Sequence, residues 1–401
     1  MPTQCTDSQV SRMSRLRYTH GTYDPEHWFA GGRSTPLPSA MMERNLYYGS
    51  YLQLDKLLGA QTLESTKAGG TVHDEMLFIV VHQAYELWFK QIIWEIDDVR
   101  RIFGQTRVDE GDMGTAVARL RRIVEIQKLL LQQISVLETM TPLDFLDFRD
   151  FLFPASGFQS AQFRVVENKL GLRPEDRLLL AGASYKSRFS EQDRGVVESI
   201  EGEPSLFDLV ELWLERTPFL DHEDFSFWEA FQSAVKTRLE ADRAVVEANP
   251  NLTTDEKTAQ LREFEITMEQ YEALFDPAKH AEQQSAGKRR LSHRAFQAGL
   301  FITLYRDQPA LQEAYRLLEL LMDIDEGFTT WRYRHAQMAL RMIGRRIGTG
   351  GSAGAKYLEK SAERSRIFAD LYNLTTFLIP RADRPPLPAG IIESMRFKFE
   401  G

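Results

Sequence analysis

The chain contains a single cysteine, and this scarcity excludes several kinds of site. Cys5 lies in a polar stretch near the N-terminus. One thiol cannot form a disulfide within the chain, and it cannot supply a cysteine zinc site or an iron–sulfur cluster. A haem held by a thiolate inside the fold is excluded for the same reason. A tightly held metal or haem must therefore use histidine or carboxylate ligands.

Long apolar runs and excess positive charge are also missing from this sequence of 401 residues. No apolar stretch approaches the ~18 residues that a membrane helix needs, so we expect no membrane span. The net charge of −9 argues against a nucleic-acid binder, which would carry a basic surface. The N-terminal segment has arginines and serines but no apolar core. It is therefore not typical of a secretory signal, and we expect a cytoplasmic protein.

Apolar residues recur at helical spacing through most of the chain, and this pattern predicts an all-α fold. Long helices are predicted over about residues 72–103, 114–137 and 311–347. Thr71 followed by Asp74 resembles a capping box at the start of the first. The alternation typical of strands is missing, and so are internal repeats. Shorter helices are predicted over about residues 48–60, 143–152, 293–305 and 357–378.

Composition predicts how the chain is divided. Residues 1–40 are expected to form an irregular arm, 41–381 a single large helical domain, and 382–401 a proline-rich tail. Two charged helices on either side of a turn signal, Asn-Pro-Asn, predict a small helical hairpin. This hairpin covers residues 224–275 and is expected to project from the domain.

Two of the eight histidines fall on the apolar faces of long helices. His82 recurs with Phe78 and Phe89 at helical spacing, and His335 does so with Trp331. Each alone is more typical of a hydrogen-bonded core histidine than of a ligand. Two such residues on two helices favour a cofactor pocket between helices. Zinc normally needs three or four ligands and no HExxH motif is present, so a planar macrocycle with one axial histidine fits better. The other six histidines are predicted to have surface roles.

Two further features allow both a structural and a functional interpretation. The sequence GTGGSAG over residues 348–354 follows no predicted strand and lacks the Lys-Ser/Thr of a phosphate-binding loop. It is either a helix connector or a mobile lid over a polar ligand. Arg149 either forms a surface ion pair with Asp147 or Asp150, which the residues alone favour, or binds a carboxylate bidentately.

Seven stretches of this sequence resemble the tryptophan 2,3-dioxygenase family, in the order of that family. They cover nearly everything from Tyr47 to Arg381 and read YYGSYLQLDKLLGAQ, HDEMLFIVVHQAYELWFKQIIWE, LETMTPLDFLDFRDFLFPASGFQS, QFRVVENKLG, WLERTP, DIDEGFTTWRYRH and GTGGSAG. The resemblance implies that 41–381 is a haem-dioxygenase domain. It also implies a homotetramer that binds haem b, ferrous in its active state. Such an enzyme opens the indole ring of L-tryptophan with O2 to give N-formylkynurenine.

The resemblance further implies roles for individual residues. His335 matches the proximal iron ligand, and Trp331 packs near it. His82 matches the distal, catalytic histidine that contacts the indole N–H. Arg149 matches the arginine that binds the substrate carboxylate, and Thr349 matches a lid residue near the substrate's ammonium and carboxylate groups. The other matched positions are Phe78, Phe145 and Leu152 in the substrate pocket, Ser156 and Gly157 against the haem and substrate, and Tyr48, Tyr51 and Leu52 on a helix that completes the neighbouring subunit's site.

The glycine-rich loop and the helix before His335 depart from the family pattern. Ala353 stands where a serine is expected, and Ala355 stands where an aromatic residue is expected. Glu326-Gly327-Phe328 replaces a run of small and aliphatic residues. These changes leave substrate choice open. One alternative is a relative that oxygenates a substituted tryptophan, including one that inserts a single oxygen atom; another is a haem or tryptophan sensor without turnover.

Overall fold

The computed structural model describes residues 46–178, 184–222, 225–346 and 355–396. The chain divides into two compact units, Met1–Leu63 and Glu64–Gly401. In its described part, the first unit contains two short helices, α1 (Tyr48–Leu52) and α2 (Leu54–Leu58). The single helix predicted over 48–60 is interrupted because Gln53 adopts a left-handed backbone, with φ 50° and ψ 46°.

Helices dominate the described part of the second unit. In chain order they are α3 (Glu64–Lys67), α4 (Asp74–Phe103), α5 (Glu110–Leu137), α6 (Pro142–Arg149), α7 (Ala161–Leu170), α8 (Glu191–Glu201), α9 (Leu206–Glu215), α10 (Phe227–Ala248), α11 (Thr254–Phe275), α12 (Pro277–Ser285), α13 (His293–Leu304), α14 (Gln312–Ile343), α15 (Ala355–Arg364), α16 (Ala369–Asn373) and α17 (Ala389–Ser394). Two-residue strands, β1 (Asp221–His222) and β2 (Phe225–Ser226), pair antiparallel before α10. The predicted all-α fold is confirmed. None of the described helices has the length and apolarity to span a membrane.

In the described part of the second unit, the longest helices are α4, α5 and α14, and α5 packs against both of the others. In the helix predicted over 114–137, the apolar residues that recur at helical spacing are buried in α5, at Leu120, Ile123, Leu130, Ile134 and Leu137. Facing residues of α4 are buried at the same three- and four-residue spacing, at Phe89, Ile92, Ile96 and Val99. Each such side chain stabilises the fold by about 1.5–3 kcal/mol relative to an exposed one. The helical period in the sequence therefore predicts the central contact.

A glycine lets α5 and α14 approach closely. A Cβ added at Gly327 would lie 2.5 Å from Oε1 of Gln127. Gln127 cannot move away freely, because its Nε2 donates to the carbonyl oxygen of Ile324 at 2.8 Å. Helix packing thus accounts for Gly327, one of the departures from the family pattern.

The capping box predicted at Thr71 is wrong. Helix α4 begins at Asp74, and the preceding His73 makes no side-chain capping bond. The hydroxyl of Thr71 lies 3.0 Å from that of Thr66 instead. The Thr71 hydroxyl therefore pairs with Thr66 and does not cap the helix.

The single helix predicted over 357–378 is also wrong, because α15 ends at Arg364 and α16 begins at Ala369. Between them, the backbone N–H groups of Ile367 and Phe368 donate to the buried carboxylate of Asp325 on α14, at 2.9 and 3.1 Å. A continuous helix would use these N–H groups internally. The carboxylate of a distant helix therefore stabilises the break.

The two helices of the predicted charged hairpin are present as α10 and α11. The surface role predicted for His280 is wrong, because this residue is buried on α12. Its Nε2 lies 2.9 Å from the carbonyl oxygen of Leu291, and its ring centroid lies 5.0 Å from that of His293. His280 is a hydrogen-bonded core histidine, away from the cavity described next.

Candidate active site

A cavity of about 260 Å³ lies between α4, α5, α6, α7, α14 and α15. Its walls are mostly aromatic and aliphatic, and the apolar lining includes Phe78, Phe89, Ile134, Phe145, Phe163, Trp331, Met338 and Met342. Polar side chains interrupt this lining, and they include His82, Glu86, Arg149, Ser156, Arg164, Glu167, Arg332 and His335. An apolar cavity with few convergent polar groups is typical of a ligand-binding site.

His82 reaches the cavity from α4 with one ring nitrogen already engaged. Its Nδ1 lies 2.7 Å from the carbonyl oxygen of Phe78, one turn earlier. Because a carbonyl can only accept, Nδ1 carries the proton and Nε2 keeps a free lone pair. Burial lowers the pKa of His82, against the opposing effects of the Phe78 hydrogen bond and of Glu86. At neutral pH His82 is therefore a neutral acceptor beside the Phe78 ring, whose centroid is 4.1 Å away.

His335 reaches the same cavity from α14. Burial lowers the pKa of His335 to about 4, and the nearby His82 adds to this shift. The imidazole is therefore neutral at pH 7 and has a lone pair available, which is the form that binds metals. Trp331, one turn earlier, stacks on it with ring centroids 5.3 Å apart and an interplanar angle of 21°. Within the described ranges, no group of three or more His, Cys, Asp or Glu side chains could hold a metal ion.

Arg149 lies at the end of α6, where a capping box between Thr141 and Asp144 fixes the start of the helix. Its side chain is 19% exposed, and the residue lines the cavity. The nearest carboxylate oxygen of Asp150 is 3.6 Å from Nη1, but that side chain is 91% exposed. An ion pair this exposed to solvent contributes only about 0–1 kcal/mol to stability. The geometry thus favours a ligand contact over the surface ion pair that the sequence alone favours.

Ser156 and Gly157 form another part of the wall, at the start of a short 3₁₀ turn (Gly157–Gln159). The Ser156 hydroxyl accepts from the Phe158 N–H at 3.4 Å, and the Ser156 N–H donates to Gln159 Oε1 at 3.0 Å. The hydroxyl hydrogen of Ser156 remains available to a ligand. A Cβ added at Gly157 would meet no atom within 4 Å, so the backbone there borders open space in the cavity.

One wall of the cavity also contains a buried ion cluster. The carboxylate of Glu167 accepts from Arg164 at 2.8 Å, from Arg332 at 2.6 Å and from Arg177. Burial would raise the pKa of Glu167, but Arg177, Arg164 and Arg332 together hold that pKa far below its usual value. The cluster therefore keeps its charges at neutral pH. Arg177 also lies over the ring of Tyr185, 4.6 Å from its centroid.

A family model described as tryptophan 2,3-dioxygenase matches residues 34–378 of this chain. The chain belongs to the tryptophan 2,3-dioxygenase family. It is 51% identical over 354 residues to tryptophan 2,3-dioxygenase of Bdellovibrio bacteriovorus, an alignment that covers 88% of this chain and 99% of that protein. The enzymes of Dictyostelium discoideum and Xenopus tropicalis are each 48% identical to it. Those alignments cover 89% and 86% of this chain, and 90% and 85% of the two relatives. The resemblance found in the motifs is confirmed.

Most residues matched to the tryptophan 2,3-dioxygenase pattern converge on the one cavity. Those that line it are Phe78, His82, Phe145, Arg149, Ser156, Gly157, Trp331 and His335. Leu152 is partly buried and packs against the core, outside the described lining. Tyr48, Tyr51 and Leu52 belong to the first unit, and Thr349 lies outside the described residues.

The ion cluster is the part of this tryptophan 2,3-dioxygenase site that sequence reasoning missed. Arg164 and Glu167 stand in QFRVVENKLG, and Arg332 stands in WRYRH. Charged residues on helices are mostly exposed, so their positions in the sequence do not by themselves predict a pocket. A signal was available, because Arg332 is three positions before His335 and lies on the same helical face.

Proposed function

We propose that this chain is a haem-dependent dioxygenase that opens the indole ring of L-tryptophan with O2, giving N-formylkynurenine. Family membership supports the reaction class. The observation that carries the proposal is the cavity itself, in which a neutral His335, an acceptor His82 and the Arg149 guanidinium converge among aromatic walls. This reaction requires a nitrogen that binds the iron, an acceptor for the indole N–H and a cation for the substrate carboxylate.

The residues present fit a haem. His335 has the neutral nitrogen that an iron ligand needs, and its stacking on Trp331 fixes the ring plane. The open space beside Gly157 and the aromatic and methionine lining suit a flat apolar macrocycle. We therefore propose that His335 holds haem b, with Trp331, Ser156 and Gly157 around it. When bound, ferrous haem supplies the centre that activates O2.

The side chains opposite would orient the amino acid. Arg149 would bind the carboxylate through two parallel N–H···O bonds, and Thr349 is proposed to bind near the ammonium. Phe78 and Phe145, with ring centroids 5.7 Å apart, would pack on the indole. Leu152 is proposed to belong to the same substrate pocket. The apolar lining would exclude water, and fixing both ends of the substrate would hold the reacting C2–C3 bond in place.

His82 would orient the substrate by accepting from the indole N–H at Nε2. Replacing His82 by serine should keep haem bound and slow turnover by roughly threefold to tenfold, because one ordinary hydrogen bond contributes about 0.5–1.5 kcal/mol. Tryptophan should also bind more weakly. Steady-state kinetics of the haem-replete variant measure both effects. A general base would contribute more, typically about 10²–10⁴-fold. Complete loss of turnover would therefore contradict the orienting role.

N1-methyltryptophan provides the matched control for His82. It cannot donate the hydrogen bond, and in the proposed binding mode its methyl group would clash with the imidazole. N1-methyltryptophan should be a poor substrate for the wild type. In His82→Ser the smaller side chain should reduce the difference in turnover between N1-methyltryptophan and L-tryptophan. If His82→Ser showed the same difference in turnover as the wild type, the indole N–H would not bind at His82.

Turnover under ¹⁸O₂ tests the proposed reaction. The haem-replete chain, reduced with ascorbate, should convert L-tryptophan to N-formylkynurenine carrying two labelled oxygen atoms, measured by mass spectrometry. A product with one labelled atom, or turnover of substituted tryptophans alone, would favour the relative specialised for other substrates. Binding of haem and tryptophan without any product would favour the sensor.

We also propose a homotetramer in which helix α1 completes the neighbouring subunit's site. Within the first unit, Tyr48, Tyr51 and Leu52 are 74%, 68% and 41% exposed. Helix α4 of the second unit has a further exposed apolar stripe, at Met76, Val80, Leu87 and Trp94. Contiguous exposed apolar surface is typical of protein interfaces. Light scattering on the purified protein in solution should give the mass of a tetramer, whereas the mass of one chain would contradict the proposal.

A further inference from the structure

The proposed mechanism leaves the ion cluster around Glu167 unused, although this cluster lines the cavity. Glu167 is the carboxylate shared by Arg164, Arg177 and Arg332, whose side chains are 12%, 6% and 5% exposed. Among the described side chains, Arg177 and Arg332 form no ion pair with any other carboxylate. One carboxylate is therefore shared by three buried guanidinium groups. Among the charged residues that line the cavity, Arg149, Arg164 and Arg332 outnumber Glu86 and Glu167, so the wall has an excess of positive charge. Such an excess favours an anionic ligand group.

Arg332 is the member of the cluster that is placed to meet a ligand. Its Nη2 donates to Glu167 Oε1 at 2.6 Å, which fixes the plane of the guanidinium. Its Nη1 is buried and has no hydrogen-bond partner among the described residues. A buried N–H donor without an acceptor is destabilising, so such groups are nearly always paired with protein, water or ligand. Because Arg332 lines the cavity, the acceptor can come from the ligand.

The position of Arg332 relates this donor to the proposed cofactor. Arg332 precedes His335 by three residues on α14, so both side chains lie on one helical face. The guanidinium carbon lies 5.6 Å from the centroid of the Phe163 ring, another residue of the same wall. We infer that Arg332, held by Glu167, binds a carboxylate at the edge of the ligand that His335 holds, which for haem b is a propionate. This inference rests on the proposed function. Arg332 would thus give the macrocycle a second attachment point besides His335.

Esterified haem tests the inference directly, because haem dimethyl ester keeps the iron and the ring but lacks the anionic groups. Titration of the apo-chain should show that the wild type binds haem at least about tenfold more tightly than the ester, the effect of one charge-assisted pair. Arg332→Gln should lose most of this preference. Arg332→Lys keeps the charge without the planar fork, so it should retain part of it.

Arg177→Gln is the matched control. Arg177 shares the same Glu167 carboxylate and is equally buried, but it is outside the described lining of the cavity. This variant should keep the wild-type preference for haem over the ester. Circular dichroism of each apo-variant checks folding, and the wild-type comparison needs no variant at all.

The possible outcomes separate this inference from the proposed function. Equal binding of haem and ester by the wild type would overturn the inference while leaving the proposed function intact. If Arg332→Gln and Arg177→Gln lost the preference for haem over the ester equally, the inference would also be overturned. The preference would then depend on an intact ion cluster and not on a contact made by Arg332. An Arg332→Gln variant that binds tryptophan more weakly but keeps its preference for haem would make the anion the substrate, against the inference. A wild type that binds neither form of haem would contradict the proposed function itself.

Discussion

Replacing His335 by alanine is expected to give a folded chain that retains little haem and has no dioxygenase activity. His335 is neutral at pH 7 because burial lowers its pKa to about 4, so its lone pair is available to iron without loss of a proton. Even the loss of a residue that supports a metal ligand typically lowers affinity by about 10–100-fold, so loss of the ligand itself should exceed that. Soret absorbance per chain measures the retained haem.

Two controls separate ligation from a general effect on the cavity. His82→Ala removes the other imidazole of the same cavity and should keep the haem complement. In His335→Gly, imidazole added to the buffer should occupy the vacated space and restore the Soret band. A His335→Ala variant with full haem and an unchanged spectrum would show that another residue ligates the iron.

The helical core could be predicted from the sequence because one periodic signal determines it. Leu120, Ile123 and Ile134 recur at the spacing of one helical face, and that face is buried. Helix ends could not be predicted in the same way. The hydroxyl of Thr71 bonds to Thr66, and the carboxylate of Asp325 accepts the N–H groups at the break after α15. These partners compete with the local motif, and their proximity arises only in the folded chain.

For the candidate site, apolar periodicity indicated the two histidines that line the cavity, but it could not distinguish a core residue from a pocket residue. His82 and His335 lie on apolar faces for the same reason that Ile96 does, yet the helices part at the histidines and leave a cavity there. For His280 the prediction was wrong in the other direction. The polar sequence around it predicts a surface residue, but its ring is buried. The buried Glu167 cluster escaped prediction because two of its partners, Arg177 and Arg332, lie outside the helix that carries Glu167.

Replacing Arg149 by alanine is expected to raise the KM for L-tryptophan by at least roughly tenfold while haem content stays normal. A hydrogen bond to a charged group contributes about 1.5–3 kcal/mol, and about 1.4 kcal/mol corresponds to a factor of ten. The contact should be at the upper end of this range, since the Arg149 side chain is only 19% exposed and lies in an apolar cavity. Steady-state kinetics with a haem count per chain measure both quantities.

The substrate and the neighbouring carboxylate each supply a control for Arg149. Tryptamine lacks the carboxylate, so it should bind poorly to the wild type and be barely affected by Arg149→Ala. Asp150→Ala removes the neighbouring carboxylate, which lies 3.6 Å from the guanidinium and is 91% exposed, and it should leave KM unchanged. If Arg149→Ala bound L-tryptophan as tightly as the wild type, and Asp150→Ala lowered stability to the same extent as Arg149→Ala, the surface ion pair would be the correct interpretation. The burial of Arg149 beside an exposed Asp150 makes the opposite result the expected one.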